Sequence, residues 1–243
     1  MECPGSTCYI GGMSHTELII ARHAEAKHAA TPHIIAGQAP YSQLTPIGRK
    51  QGAQLGWKWH DQGVRPDRAD SSTSIRALQT MNTALMTRPG GIMPINTSKV
   101  LQEQCLGSHE GQPRDLVYTE ELKQRIAEQG ADYKHPGYNQ AGEAGMSLTA
   151  VARGLAGYLI ALRAVAEPPE SVVAISHHTA LRTLFAFVEL DGFHEPIDPL
   201  ELQAAMMEQP AIEPCAQALI IVEGDPQNFG CRVEYTRQPL GQL

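Results

Sequence analysis

Apolar residues in this chain gather into short runs at some places and recur every three or four positions at others. Together the two patterns predict buried strands alternating with amphipathic helices. Leu18-Ile19-Ile20-Ala21 is a short apolar run bounded by polar residues, too brief for a helix, and reads as a buried strand of a parallel sheet. Val172-Val173-Ala174-Ile175, after Pro168-Pro169, is a second run of the same kind. Between them, Thr45-Pro46 supplies an N-cap with proline at the first helical position, and Ile47, Leu55 and Trp59 share one face over residues 46–60. Residues 68–73 read as a short strand, and Ser74 caps a helix with Ile75, Leu78, Met81 and Leu85 at helical spacing. Gly90-Gly91 and Pro94 bracket another short strand, and Glu103 stands at the edge of a loop over 104–113. Charges at helical spacing over 114–129 predict one solvated helix, and Gly- and Pro-rich residues 133–145 are irregular. Residues 107–146 together read as a small cap inserted beside the sheet. Ser147 then caps a helix whose Leu148, Val151, Leu155, Leu159 and Leu162 form a core stripe. Leu181, Leu184, Phe185 and Val188 give the next helix, Asp198-Pro199 starts another through Met207, and 218–222 and 232–235 read as two closing antiparallel strands.

The expected class is α/β, with a mostly parallel sheet in a single domain over residues 14–243. Residues 1–13, rich in Gly, Pro and Ser, read as a poorly ordered extension. A net charge of -7 over 243 residues argues against a broad nucleic-acid or anionic-membrane surface, while leaving room for a local basic pocket. The five cysteines are odd in number and form no C-x-x-C pair, which fits reduced cytoplasmic thiols better than a disulfide framework or a zinc site. Cys105 reads as a packing thiol. There is no signal-like segment and no apolar run of membrane-spanning length, so a cytoplasmic protein without a membrane partner is expected. Oligomeric state stays open, a homo-oligomer included.

Candidate chemistry sits at the ends of these elements. Arg22-His23 emerges at the carboxyl end of the first strand, where open α/β sheets place their ligand crevices. It pairs a fixed cation with a group able to act as nucleophile, acid or base. Arg76 falls in the first turn of its helix, where a guanidinium, free N–H groups and the helix dipole all suit an anion. His177 occupies a strand-to-helix turn just as His23 does. With Glu103 added, two arginines, two histidines and one carboxylate form a set suited to phosphoryl transfer through a phosphohistidine, and no metal-ligand spacing is present.

At these residues the chain resembles the histidine phosphatase superfamily, in the branch of cofactor-dependent phosphoglycerate mutase and its phosphatase relatives. Arg22-His23-Ala24-Glu25 is similar to the family's R-H-G-E, and Leu44 to Gln51 to its L-T-x-x-G-x-x-Q. Ser72 to Thr80 is similar to S-x-x-x-R-A-x-Q-T, Leu101 to Gly111 to L-x-E-x-x-x-G-x-x-E-G, Gly142-Glu143 to the start of G-E-S, and Ser176-His177 to S-H-G. The resemblance spans about residues 16–190 and implies a three-layer α/β/α phosphoglycerate mutase-like fold.

It also implies that His23 is the nucleophile, that Arg22, Arg76 and His177 clamp phosphate oxygens, and that Glu103 is the acid and base. His178 and Gln38 are added here as phosphate-binding candidates, Gln38 through its backbone. The implied activity is a metal-independent phosphomonoester hydrolase of the histidine acid phosphatase type, with no cofactor and a small-molecule phosphomonoester as partner. Two alternatives are mutase-type phosphoryl transfer and a non-catalytic phospho-ligand binding module. Residues 107–146 contain no Arg-Arg pair, which favours water as acceptor. Ala24 replaces the family's glycine, and His178-Thr179 stand where relatives carry small residues. Ala29 and Ala36 fall where relatives place an asparagine and then a hydroxyl against phosphate, with His28 and His33 the nearby residues able to compensate.

Overall fold

In the computed structural model, which describes residues 15–39, 41–90, 92–223 and 230–234, the two apolar runs lie side by side at the centre of one sheet. The strands are β1 (His15–Arg22), β2 (Arg68–Ser72), β3 (Ile95–Ser98), β4 (Ser171–Ser176), β5 (Gln217–Glu223) and β6 (Gly230–Glu234). Their order is β3-β2-β4-β1-β5-β6. The first four run parallel, while β5 and β6 are antiparallel to their neighbours.

Alternation along each strand sorts side chains to two faces. Leu18, Ile20, Val172 and Ala174 pack with Leu155 and Leu159 of α5 (Leu148–Arg163) and Leu181 and Leu184 of α6 (His178–Glu189). Ala21, Val173 and Ile175 pack on the other side with Leu55 and Trp59 of α1 (Pro46–Asp61) and Met81 and Leu85 of α2 (Ile75–Thr87). These leucines are almost fully buried, each contributing about 1.5–3 kcal/mol relative to exposure. The result is the three-layer arrangement expected of the sequence.

The register decides where the chemistry falls. Arg22 pairs with Ser176 across β1 and β4, and the His23 N–H donates to the Ser176 carbonyl at 3.0 Å, so His23 and His177 leave the sheet level with one another. Helix α1 is drawn tightly onto the loop after His23. Thr45 caps it by accepting from the Gly48 N–H, and a Cβ on Gly48 would collide with the Glu25 carbonyl. On the far side of the sheet the buried Asp70 carboxylate accepts a forked bond from Arg68 Nε at 2.8 and 3.0 Å, one from Tyr158 at 2.7 Å and one from Asn96 at 3.2 Å.

Two expectations change. The strand near Pro94 begins after the proline, at Ile95, because proline has no N–H for a ladder and here precedes the first strand residue. Residues 114–129 are two helices, α3 (Arg114–Val117) and α4 (Glu120–Gln129), because Thr119 turns its hydroxyl back to accept from the Leu122 N–H and starts a new helix. Charge spacing alone does not register such a cap. The expected extension 1–13, Gly91 and Tyr235 lie outside the described residues. Asp198 caps α7 (Pro199–Glu208) as expected, accepting from the N–H groups of Leu200 and Glu201. Among the described residues no helix is long and apolar enough to cross a membrane.

Candidate active site

His23 lies at the floor of a cleft of about 760 Å³ between the carboxyl ends of the strands and the cap. The residue is 3% exposed. The Nδ1–H donates to the Ala24 carbonyl at 2.7 Å, and Nε2 accepts from Arg76 Nε at 3.1 Å. A carbonyl only accepts and a guanidinium only donates, so the partners fix the tautomer: hydrogen on Nδ1, lone pair on Nε2. Burial, with the Arg76 charge beside it, pushes His23 well below 6.5, and the ring is neutral at neutral pH. The Ala24 N–H is in turn held by Thr80 Oγ1 of α2 at 3.0 Å.

Arg76 is the hub of the site. Besides His23 it donates from Nη2 to His177 Nδ1 at 3.1 Å and Gly37 O at 3.3 Å, and from Nη1 to Gln38 O at 2.6 Å and Ala39 O at 2.9 Å. All five of its N–H groups therefore meet protein acceptors. Gly37, at a left-handed φ of 49°, makes the turn that aims three successive carbonyls at one guanidinium. Burial lowers Arg76 to about 10, which leaves it charged.

His177 is fully buried behind Arg76 and is not among the cleft-lining residues. Its Nε2–H donates to Ser72 Oγ at 2.8 Å, with Ser74 Oγ at 3.3 Å, and its ring stands edge-on to His23 with centroids 4.9 Å apart. Burial and Arg76 hold it, too, well below 6.5. Ser74, expected as a helix cap, instead turns its hydroxyl to this imidazole.

Arg22 donates from Nη1 to Ile212 O at 2.6 Å, while its buried Nε has no protein partner. The Glu103 carboxylate seals the amino end of α6. Its Oε2 accepts from the Thr179 N–H at 3.1 Å, and its Oε1 from the Ala180 N–H at 3.1 Å and the Gln104 N–H at 3.0 Å. This fixes the carboxylate at the cleft wall beside Arg22 and His178.

The sequence-derived candidates thus divide by position. Arg22, His23, Arg76, Glu103 and His178 line the cleft, and His177 stands immediately behind it. Gln38 departs from expectation. Its N–H donates to Glu110 Oε1 at 3.1 Å, its side-chain Nε2 donates to the Glu103 carbonyl at 3.3 Å, its side-chain oxygen accepts from Asn139, and its carbonyl faces Arg76, so these donors are spent on protein acceptors and Gln38 does not line the cleft. Ala29 and Ala36 do line the cleft, without donors. His28, half-buried in the same wall, sits 5.8 Å from His23 with its Nδ1 against Ser42 Oγ, and burial lowers it to about 4.

The supporting residues Thr80, Ser72, Glu110 and Asn139 were not singled out in the sequence. Ser72, Thr80 and Glu110 each stand at a fixed position of a quoted motif, and that is the signal that could have marked them. Cys105 is buried and its thiol is pushed up to about 11, as fits packing. Among the described residues no group of three His, Cys, Asp or Glu side chains is arranged to hold a metal ion.

A family model described as histidine phosphatase superfamily (branch 1) matches residues 18–203. No curated protein matches the chain. Among solved structures, the native mycobacterial glucosyl-3-phosphoglycerate phosphatase superposes with a TM-score of 0.68 at 17% identity, covering 91% of this chain and 98% of that one. A phosphoglycerate mutase from Bacillus anthracis gives 0.67 at 18% identity over 92% and 93% of the two chains. YhfR from Bacillus stearothermophilus gives 0.65 at 24% identity over 90% and 96%. At these identities the likeness is one of fold.

Proposed function

Because the chain belongs to the histidine phosphatase superfamily, branch 1, we propose that it hydrolyses a small-molecule phosphomonoester through a phosphohistidine on His23. The observation that carries this reading is the His23 tautomer. A neutral, buried imidazole keeps its proton on Nδ1, fixed by Ala24 O, and offers the Nε2 lone pair at the floor of the cleft.

In the first step Nε2 attacks phosphorus as the bond from phosphorus to the leaving oxygen breaks, and Glu103 delivers a proton to that oxygen. Arg76 and Arg22, both on the cleft lining, neutralise the non-bridging oxygens. For Arg76 this means exchanging its bond to His23 for one to phosphate while its bond to His177 is kept. His177 positions the guanidinium from behind. In the second step Glu103 takes a proton from water, which attacks phosphorus and releases His23 and inorganic phosphate. The arginines carry the charge neutralisation, so the proposed route calls on no metal or cofactor.

The test is phosphate release from p-nitrophenyl phosphate and a panel of sugar, nucleotide and glycerate phosphates, with EDTA present, for wild type and His23→Ala. EDTA-insensitive turnover that falls on the order of 10⁴-fold or more in the variant is expected, together with an acid-labile phosphoenzyme in wild type only. Transfer of the phosphoryl group to a second phosphoglycerate in place of water would replace hydrolysis with the mutase reading. Absence of both turnover and phosphoenzyme would replace it with the binding-module reading.

A further inference from the structure

The cleft is far larger than one phosphoryl group, and the space beyond His23 is walled by three helices with residues at i, i+3 and i+4. From the cap, α4 presents Lys123, Ile126 and Ala127. Opposite it, α7 presents Gln203, Met206 and Met207, and α6 runs outward from His178 to Arg182, one turn and about 6 Å further along. Tyr118 and Tyr133 of the cap complete an aromatic and aliphatic lining.

Charge in the cleft is lopsided for a chain whose net charge is -7. Among the described residues its lining holds the cations Arg22, Arg76, Arg114, Lys123 and Arg182 against a single carboxylate, Glu103. The phosphoryl group of a monoester, at about -2, is matched by Arg22 and Arg76 and leaves the three outer cations without a counter-charge inside the cleft. Lys123 pairs with Glu120 of its own helix, but both are exposed and such a pair is weak. Arg114 donates from Nε to the Pro32 carbonyl. Arg182 donates from Nη2 to the Met207 carbonyl, which ties α6 to α7, and its Nε is buried with no partner.

We propose that the outer chamber between α4, α6 and α7 is a specificity subsite for the leaving group. Its preferred occupant is a ring or extended apolar body that carries a second anion, a carboxylate or another phosphate, bound by Arg182 with Lys123 and Arg114 around it. The apolar walls take the body; the Arg182 guanidinium, a fixed cation on the cleft lining, takes the anion. This rests on the phosphatase reading above and adds the substrate class to it.

The test compares phenyl phosphate with 4-carboxyphenyl phosphate and with 1,4-phenylene bisphosphate, which share a ring body and differ in the second anion. Wild type is expected to show kcat/KM about tenfold higher for at least one of the two anionic substrates, the size of a single charge-assisted hydrogen bond, and the better of them identifies carboxylate or phosphate as the anion. In Arg182→Gln the ratio of anionic to neutral substrate falls about tenfold, and in Lys123→Gln it falls by a smaller factor. General damage to the fold lowers all three substrates together and leaves the ratio unchanged. A ratio near one in wild type, or a ratio that neither variant moves, overturns the subsite while leaving the phosphatase reading intact. No turnover of any of the three, with no phosphoenzyme, removes the phosphatase reading itself and the subsite with it.

Discussion

Replacing Thr80 by valine tests the support beneath His23, the proposed nucleophile, without changing a side chain that lines the cleft. Thr80 is fully buried, and its hydroxyl accepts the Ala24 N–H at 3.0 Å while donating to the Arg76 carbonyl at 2.7 Å. Valine keeps the shape and the β-branch but strands the Ala24 N–H in a dry interior. The bond to Arg76 O is an i to i-4 contact within the helix and its loss costs little, because that carbonyl keeps its helical partner. The desolvated N–H dominates, at about 1–3 kcal/mol. At about 2–4 °C per kcal/mol for a chain of this size, Tm should fall by roughly 2–12 °C.

Ala24 also supplies the carbonyl that fixes His23 Nδ1. A peptide displaced in search of a new acceptor therefore misaims the imidazole, with a rate loss of about tenfold to a hundredfold expected in kcat. Thr80→Ser, which keeps the hydroxyl, should retain most of the rate. Differential scanning calorimetry and turnover of p-nitrophenyl phosphate on the same preparations read both effects. If Thr80→Val matched wild type in both Tm and kcat, the argument that this hydroxyl holds the nucleophile's backbone would be wrong.

Two further outcomes concern the buried histidines and the buried carboxylate. His23 and His177 are held neutral well below 6.5, and His28 and His135 are lowered to about 4, so the unfolded chain binds protons near pH 6.5 that the native state refuses. Stability should be full above pH 6.5 and decline as pH falls toward 4, by up to about 1.4 kcal/mol per pH unit for a fully buried ring such as His177; urea unfolding midpoints that stay level from pH 7.5 to 4.5 would contradict it. Tyr158→Phe removes one charge-assisted bond to Asp70 and should cost about 1.5–3 kcal/mol by denaturant titration while leaving kcat within error of wild type, since neither residue lines the cleft.

Much of the site was legible because its parts sit where periodicity stops. The apolar runs ending at Ala21 and Ile175 predicted two central strands, and the residues just past them are the two histidines now found ring to ring. Arg76 was legible as a cation in a helix's first turn; its saturation by three loop carbonyls was not. That depends on the left-handed turn at Gly37 and on contacts 37 to 39 positions distant in sequence. Gln38 was misread for the same reason: a backbone N–H in a loop reads as available until Glu110, 72 residues away, is seen to occupy it. The break at Thr119 turned on one side-chain bond that charge periodicity does not record.

The register that sets His23 level with His177 has a consequence for how this protein comes into being. The bonds that define the nucleophile link His23 to Arg76 across 53 residues, Arg76 to His177 across 101, and His177 to Ser72 across 105. No segment short enough to fold by local contacts contains both ends of any of these bonds, so ring closure over most of the chain precedes the first properly poised imidazole. The poised imidazole therefore requires β1, β2 and β4 to be assembled together and is lost when these strands part. Turnover by this chain would report on the integrity of β1, β2 and β4 together, as a single cooperative event.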